Sequence, residues 1–339
     1  MNHLMPRSLS SIPEHGGDLM WASQRFGVPL ENWLDLSTGI NPYSYPIPII
    51  TTADWHFLPT KKYLENTLDV ARQYYNIPPS ASIAIGTGSQ TLIQSLAYLI
   101  PPQPIAIISP TYSGHASAFN YAGFPITFCS SLDDMKKTDC RYGIVVNPNN
   151  PDGRIFDQEA LLRLHHQLSD LGGGLIIDEA FADTIPTISL SSHTNQPGLI
   201  ILRSLGKFFG LAGVRIGFAI GSDPLIHKLQ KMMGPWPIAG GILKIVQAAL
   251  VDVSWVQKMQ QQLNVQASAM DQFLWEMGIP TTRSTPLFCL VDRPDSPSIY
   301  QHLAAQGILL RAFKERPNWL RLGLLKTQDF DRFTKAYKS

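Results

Sequence analysis

One lysine and one arginine interrupt a stretch of small and apolar residues at positions 203 to 221, RSLGKFFGLAGVRIGFAIG. Lys207 follows a glycine, and Arg215 comes a short way along the chain. A lysine in tight, partly apolar surroundings has its charged form disfavoured, so its amine becomes nucleophilic, and a nearby arginine acts in the same direction. Such an amine can form a Schiff base with an aldehyde.

Two further segments carry polar groups that allow more than one interpretation. In LIIDEAF, Asp178 and Glu179 follow the apolar run LII, and carboxylates at the end of a strand can bind a metal ion, act as bases, pair with a cation or remain solvated. The segment NPNNPDGR at 147–154 is typical of a turn. Its asparagines, placed between prolines, also present amide donors in fixed directions.

The segment GTGSQT at 86–91 follows a strand pattern and opens a helix pattern. Free N–H groups at the start of a helix attract an anion such as phosphate, although the same residues also suit an ordinary turn. Thr91 stands where a G-x-G-x-x-G motif would have its last glycine, which argues against a nicotinamide-binding turn.

Taken together, these residue types favour a site for pyridoxal 5′-phosphate. This cofactor needs a Schiff-base lysine, an acid at its ring nitrogen, donors for its phosphate and a polar group at its phenolic oxygen. A structural role is the commoner explanation for any one of these residues, but not for the ordered set. The chain supplies the set in this order: Ser89, Asn150, Asp178, Ser204, Lys207 and Arg215.

The surrounding elements predict an α/β fold that would bring these residues together. Short runs rich in Ile and Val alternate with helix patterns, which indicates a mostly parallel sheet covered on both faces. Each unusual polar residue follows such a run, where α/β sheets bind their ligands. We predict a large cofactor-binding domain over 42–237 and a smaller α+β domain formed by 1–41 with 238–339.

Composition and charge narrow the classes of function. The 339 residues are 44% hydrophobic and 16% charged, which indicates a globular protein. A net charge of +1 without a long basic run argues against nucleic acid as a partner. No apolar run is long enough to cross a membrane. Three dispersed cysteines suggest neither disulfides nor a metal site, and with no signal peptide we expect a cytoplasmic protein.

The chain resembles the pyridoxal-phosphate enzymes of the aspartate-aminotransferase fold (fold type I, class I/II). Within that group it is similar to the L-threonine-O-3-phosphate decarboxylases of cobalamin biosynthesis and to the related histidinol-phosphate aminotransferases. The resemblance covers nearly the whole chain. It rests on HGGDL, WLDLSTGINP, PTYSGH, NPNNPDGR, DEAFAD, RSLGKFFGLAGVRIGF and LRLGL, of which HGG and STGINP favour the decarboxylases.

The resemblance implies a role for each residue that matches a motif. Lys207 would form the Schiff base, Asp178 would hold a proton on the pyridine nitrogen, Asn150 would bind the phenolic oxygen, and Tyr112 would stack on the ring. Arg321 would bind the substrate carboxylate. The cofactor phosphate would be bound by Gly88, Ser89, Gln90, Ser204 and Arg215. The candidates for the substrate phosphate are His15, Gly16, Gly17, Asn41 and Arg311.

Two positions depart from the family pattern. Phe181 stands where aminotransferases commonly have a tyrosine that contacts the phenolic oxygen, which leaves that contact to Asn150 or water. Leu58 stands where many relatives have a tyrosine that crosses a dimer interface to the cofactor phosphate. The resemblance still implies a homodimer.

The activity that the resemblance implies is decarboxylation of L-threonine O-3-phosphate to (R)-1-amino-2-propanol O-2-phosphate, which supplies the aminopropanol linker of cobalamin. Three alternatives remain open at this stage. The closest in chemistry is a histidinol-phosphate-type aminotransferase, because the same residues would serve it. A nicotinamide-dependent oxidoreductase and a non-catalytic pyridoxal-phosphate-binding protein explain fewer of the residues.

Overall fold

The structure is a computed structural model that describes residues 12–222 and 224–339. The chain divides into two compact units. One contains Tyr43–Gln260, and the other contains the described residues up to Pro42 together with Gln261–Ser339. Residues 1–11, which the sequence analysis assigned to the smaller domain, lie outside the described residues.

The 43–260 unit is built on a seven-stranded sheet. In chain order its strands are β2 (Ser82–Gly86), β3 (Ile105–Ile108), β4 (Ile126–Cys129), β5 (Tyr142–Val146), β6 (Gly174–Asp178), β7 (Leu199–Ser204) and β8 (Gly217–Gly221). The spatial order is β2-β8-β7-β6-β5-β3-β4. Strand β8 is antiparallel to β2 and β7, and the other pairs are parallel, so the predicted mostly parallel α/β sheet is confirmed.

Helices cover both faces of this sheet, which explains why its central strands are apolar throughout rather than alternating. All residues of β3, β6, β7 and β8 are buried. The helices of the unit are α2 (Thr52–His56), α3 (Lys61–Tyr74), α4 (Ser89–Leu99), α5 (Ser113–Tyr121), α6 (Leu132–Lys136), α7 (Gln158–Asp170), α8 (Leu225–Met233) and α9 (Gly240–Val251). Short 3-10 turns occur at Ala182–Thr184, Pro186–Ile188, Ser191–His193 and Ala212–Val214.

The other unit contains a four-stranded antiparallel sheet and a separate parallel pair. The sheet has the order β12 (Arg311–Ala312), β13 (Trp319–Gly323), β10 (Phe288–Asp292) and β9 (Arg283–Ser284). The pair joins β1 (Leu34–Asp35) to β11 (Ile308–Leu309). Its helices are α1 (Leu19–Phe26), α11 (Ser296–Ala305) and α12 (Phe330–Lys338), with 3-10 turns at Leu30–Asn32 and Thr327–Asp329.

The observed boundary between the units differs from the one expected from the sequence. It falls after Gln260, within α10 (Val253–Glu276), rather than after 237. Helix α9 belongs to the 43–260 unit because its polar side chains are bound there. Lys244 pairs with Asp54 at 3.0 Å, and Gln247 donates to the Thr67 hydroxyl at 2.7 Å. No helix among the described residues has both the length and the apolarity needed to span a membrane.

A buried ion cluster joins β6 and β7. The guanidinium of Arg203 contacts Glu179 at 2.6 Å and Asp183 at 2.5 Å, and all three side chains are at least 97% buried. Burial opposes the charge of Arg203, but the two carboxylates outweigh that effect and raise its pKa. Burial raises the pKa of both acids, and the arginine opposes that rise. Arg203 is therefore held in its charged form between two carboxyl groups.

Replacing Arg203 with leucine should lower the free energy of unfolding by about 3–5 kcal/mol, because two buried carboxylates would lose their shared cation. Urea unfolding followed by circular dichroism measures the loss. The matched control is Arg163→Leu, since Arg163 forms an exposed pair with Glu159 at 3.4 Å and should cost less than about 1 kcal/mol. Equal losses for the two variants would contradict a stabilising role of the cluster.

Candidate active site

The carboxyl ends of parallel strands bring the predicted cofactor residues to one edge of the sheet. Asp178 ends β6 and Ser204 ends β7, and the register pairs Asp178 with Leu202. The backbone N–H of Asn147, just after β5, donates to the Asp178 carbonyl at 2.9 Å. The turn that contains Tyr112 follows β3 at the same edge. The sheet therefore positions these side chains through its backbone hydrogen bonds.

Glycines allow an arginine and a helix start to approach each other at one end of this edge. Helix α4 begins at Ser89, and no side chain caps it at Gly88, whose φ of 84° lies in the left-handed region. A Cβ on Gly88 would lie 2.6 Å from Nη2 of Arg215, and one on Gly217 would lie 2.4 Å from the Ser89 nitrogen. Side chains are thus excluded where backbone N–H groups and a guanidinium converge, an arrangement suited to phosphate.

Gln90 fixes the ring of Tyr112. The Tyr112 hydroxyl donates to Oε1 of Gln90 at 2.9 Å, so the first turn of α4 and the turn after β3 are joined by side chains. The ring of His115 meets that of Tyr112 edge-on, with centroids 5.9 Å apart. A tyrosine ring held on two sides presents a fixed flat surface, as ring stacking requires.

His115 is a site residue that the sequence analysis missed. Its Nε2 lies 2.9 Å from Oδ2 of Asp178, and the other Asp178 oxygen accepts from the Ala180 N–H at 3.0 Å. Both side chains are almost completely buried. Both carboxylate oxygens of Asp178 are therefore held in place. Its position three residues after Tyr112 could have suggested that His115 lies near the cofactor site. A single histidine in a helix pattern does not, however, indicate that its partner is Asp178, 63 residues along the chain.

Lys207 lies in mixed surroundings just beyond β7. Its side chain is half-buried, and Nζ lies 5.6 Å from the centroid of the Phe181 ring. Phe181 is itself buried, so the position that departs from the family pattern contacts the lysine as an apolar surface. Ser204 is buried at the end of the strand, and Asn150 is half-buried after β5.

The other asparagines of NPNNPDGR have structural partners. Asn147 both donates to and accepts from the backbone of Phe156, at 3.1 and 2.9 Å. Asn149 accepts from Thr111 at 2.7 Å and donates to Asp152 at 2.6 Å. These bonds give Asn147 and Asn149 structural roles within the turn. Asn150 stays the residue that the sequence predicts to contact the cofactor.

The residues at this edge fit pyridoxal 5′-phosphate. Gly88 and Gly217 let the guanidinium of Arg215 and the backbone N–H groups at the start of α4 come close together, and these groups can donate to a phosphate. An acid whose oxygens are fixed, a tyrosine ring and a lysine amine occur on neighbouring turns of the same unit. Among the described residues, no cluster of three metal-ligating side chains offers a competing explanation.

The predicted substrate residues lie in the other unit. Arg321, on β13, is buried and donates to the Ser37 carbonyl at 2.9 Å. Burial and the neighbouring Arg311 cation lower the pKa of Arg321 to about 9, although Asp35 opposes this. An anionic ligand would relieve both effects, so Arg321 is suited to bind one. Asn41 is buried in the same unit.

Arg311 holds the N-terminal segment. Its guanidinium donates to the carbonyls of Pro13, at 2.6 Å, and Glu14. A small cavity of about 20 Å³ brings Arg311 together with His15, Gly16 and Gly17. Four of the six predicted substrate residues therefore line one space within this unit.

Ser37 joins this segment to β1. Its hydroxyl donates to Asp35 at 2.6 Å and accepts from the N–H of Gly17 at 2.7 Å. A Cβ on Gly16 would lie 2.2 Å from the Ser37 carbonyl oxygen, so the two backbones pack without an intervening side chain. Since that carbonyl also accepts from Arg321, Ser37 contacts both the segment and the arginine.

Comparisons with known proteins agree with this geometry. The chain belongs to the class I and II aminotransferase family, whose model matches residues 33–336. It is 38% identical to a threonine-phosphate decarboxylase of Pseudomonas aeruginosa over 92% of each chain. It is 35% identical to one from Sinorhizobium sp., over 94% of this chain and 95% of the relative. The predicted family and its decarboxylase branch are thus confirmed.

A solved structure supports the fold independently. The L-threonine-O-3-phosphate decarboxylase from Porphyromonas gingivalis superposes with a TM-score of 0.72 at 15% identity. The match covers 89% of this chain and 98% of that one. At this identity the likeness concerns the fold, and it confirms the aminotransferase-type architecture expected from the sequence.

Replacing Ser37 with alanine should free the N-terminal segment, because the N–H of Gly17 loses its acceptor. We expect hydrogen exchange in the peptide containing Gly17 to become at least about tenfold faster, a change equivalent to the net value of one hydrogen bond. Exchange followed by mass spectrometry measures it. The matched control is Ser44→Ala, an exposed hydroxyl that donates to the Gly210 carbonyl at 3.1 Å, and it should leave that peptide unchanged.

Proposed function

We propose that the protein is a pyridoxal-phosphate-dependent decarboxylase that converts L-threonine O-3-phosphate to (R)-1-amino-2-propanol O-2-phosphate. The observation that carries the proposal is the 38% identity to a threonine-phosphate decarboxylase over 92% of both chains. The cofactor residues at the sheet edge support it, because each group that the cofactor needs is present. The product would supply the aminopropanol linker of cobalamin.

The 43–260 unit would bind the cofactor. Its phosphate would be bound by the start of α4 at Gly88, Ser89 and Gln90, with Ser204 and Arg215, and the Tyr112 ring would pack on its ring. When bound, the cofactor supplies an aldehyde for an amine and a ring that accepts electrons. Asp178, fixed by His115, would hold a proton at the pyridine nitrogen and so keep that ring electron-poor. Asn150 would donate to the phenolic oxygen without help from Phe181.

Lys207 would have two tasks. Its amine would hold the cofactor before substrate binds, and its ammonium form would then donate a proton to the substrate Cα, on which the loss of carbon dioxide leaves an electron pair. The Phe181 ring, whose centroid lies 5.6 Å from Nζ, would pack against this amine as an apolar surface.

The basic groups of the other unit would recognise the two anionic groups of the substrate. Arg321 would bind the carboxylate, since an anion there offsets the penalty that burial imposes on its charge. His15, Gly16, Gly17, Asn41 and Arg311 remain the candidates for the substrate phosphate. Which bond breaks depends on which Cα substituent is held out of the plane of the cofactor ring. A decarboxylase must hold the carboxylate there, whereas an aminotransferase must hold the hydrogen.

Incubation with L-phosphothreonine should release carbon dioxide in amounts equal to a new phosphate ester seen by ³¹P NMR, without 2-oxoglutarate. Lys207→Ala should lose the visible cofactor absorbance and at least about a thousandfold of the activity, since it removes the only proposed nucleophile. The matched control, Lys61→Ala, replaces a lysine whose side chain is 90% exposed and should change neither. Glutamate formed from histidinol phosphate and 2-oxoglutarate, without carbon dioxide, would favour the aminotransferase alternative instead.

We also propose a cytoplasmic homodimer. The support for the dimer is a run of exposed large apolar side chains: Ile47, Ile49, Trp55, Phe57 and Leu58 are each at least 57% exposed. Such patches on soluble proteins mark interaction surfaces. The cytoplasmic location stays a prediction from the cysteine pattern, and all three cysteines are free and buried.

Phe57→Glu should convert the dimer to a monomer, because a charge would be desolvated in the interface. Light scattering coupled to size-exclusion chromatography would report a mass near 37.6 kDa for this variant and about twice that for the parent. Tyr121→Glu is the matched control, since Tyr121 is an aromatic residue with 82% exposure at the end of α5, outside the run of apolar residues at 47–58. A parent protein that elutes as a monomer would contradict the proposal.

A further inference from the structure

The turn that carries Tyr112 is held by side chains from the neighbouring strand ends. Just past β3, the backbone N–H of Ser109 still donates to the Cys129 carbonyl of β4, at 2.8 Å. Pro110 comes next and has no N–H with which to continue that pattern. Its carbonyl accepts hydrogen bonds from two side chains, those of Asn149 and Arg154.

Asn149 binds two consecutive residues of this turn. Its Nδ2 donates to the Pro110 carbonyl at 2.9 Å, and its Oδ1 accepts from the Thr111 hydroxyl at 2.7 Å. The side chain of Asn149 is completely buried, and Nδ2 also donates to Oδ1 of Asp152 at 2.6 Å. One amide group is thus fixed by an acid and in turn fixes the two residues that precede Tyr112.

Arg154 joins the ends of three neighbouring strands. Its Nη2 donates to the Pro110 carbonyl after β3, and its Nη1 donates to the Ser130 carbonyl after β4, each at 3.1 Å. Its Nε lies 2.6 Å from Oδ2 of Asp152, in the turn after β5. A planar guanidinium can reach three such partners because its donors point in several fixed directions, whereas a lysine has one compact ammonium group.

These contacts concern the cofactor because both turns carry a predicted cofactor residue. Tyr112 comes two residues after Pro110, and Asn150 comes directly after Asn149. The Tyr112 hydroxyl is bound to Gln90 at 2.9 Å, so the tyrosine is held at its hydroxyl and, through Pro110, near its backbone. A group that is already in place before a ligand arrives need not be ordered at the expense of binding free energy.

We propose that Arg154 is a positioning residue for cofactor binding. Through Pro110 directly, and through Asp152 and Asn149, it sets the place of the Tyr112 ring on which the cofactor ring would pack. The inference rests on the proposed pyridoxal-phosphate site, but it does not depend on which substrate that site uses. It gives the NPNNPDGR turn a second task besides presenting Asn150, since this turn also fixes its neighbour.

Arg154→Lys keeps a cation beside Asp152 but loses the planar group that reaches both carbonyls. Pyridoxal 5′-phosphate is returned to the cofactor-free full chain, and its visible absorbance gives the dissociation constant. We expect this constant to rise at least about tenfold, the factor that one ordinary hydrogen bond gives. The visible circular dichroism of the bound cofactor, which depends on the asymmetry of its surroundings, should fall.

The Thr111 hydroxyl provides a second test of the same contacts. Thr111→Val removes the bond to Asn149 with little change in shape and should also weaken cofactor binding. Thr111→Ser retains the hydroxyl and should bind the cofactor as tightly as the parent protein. If Arg154→Lys does not fold, this pair of variants decides the outcome, and equal affinities for the two would overturn the proposal.

The matched control is Arg332→Lys. Arg332 also donates to two backbone carbonyls, those of Asn32 and Gly307, but it lies in the other unit, and its replacement should leave the cofactor affinity unchanged. An equal loss of affinity in the Arg154 and Arg332 variants, an unchanged affinity in Arg154→Lys, or a parent that binds no cofactor would each overturn the proposal. A parent that binds the cofactor but releases no carbon dioxide from phosphothreonine would refute only the proposed activity, since the cofactor affinities still decide the role of Arg154.

Discussion

The parallel pairing of β6 with β7 is the constraint on which the cofactor site depends. Because Asp178 pairs with Leu202, the acid lies beside the turn that carries Lys207. Parallel neighbours fix this relation through backbone hydrogen bonds, whatever the side chains are. A shift of the register by one residue would turn Asp178 away from His115 and bring Glu179 in its place.

The same pairing explains how the consecutive acids Asp178 and Glu179 make two different contacts. Asp178 and Glu179 are consecutive, so the pleat directs them to opposite faces, and the same holds for Arg203 and Ser204. Asp178 contacts His115 on one side, while Glu179 binds Arg203 on the other. The sequence left open whether these acids bind a metal, act as bases or pair with a cation. In the structure Glu179 pairs with a cation, and Asp178 pairs with a histidine.

The sequence predicted most strongly the features that depend on local pattern. Buried strands appear as apolar runs, so the mostly parallel sheet could be predicted, and the motifs brought Lys207 and Asp178 to attention. Contacts between distant residues could not be predicted. The partner of His115 is 63 residues away, and the hydroxyl of Ser37 binds a backbone group 20 residues earlier. The boundary after Gln260 was missed for the same reason, because α9 is held by Asp54 and Thr67.

The buried position of Arg321 has a consequence for the protein without its ligand. Its lowered pKa means that the fold disfavours the charge that the arginine needs in order to work. An anion that binds Arg321 would offset this cost, and the offset is part of the free energy with which the anion binds. A bound anion should therefore raise the thermal stability of the protein to an extent set by its concentration and its affinity. The affinity for the anion and the thermal stability of the bound protein therefore both depend on the interaction between Arg321 and that anion.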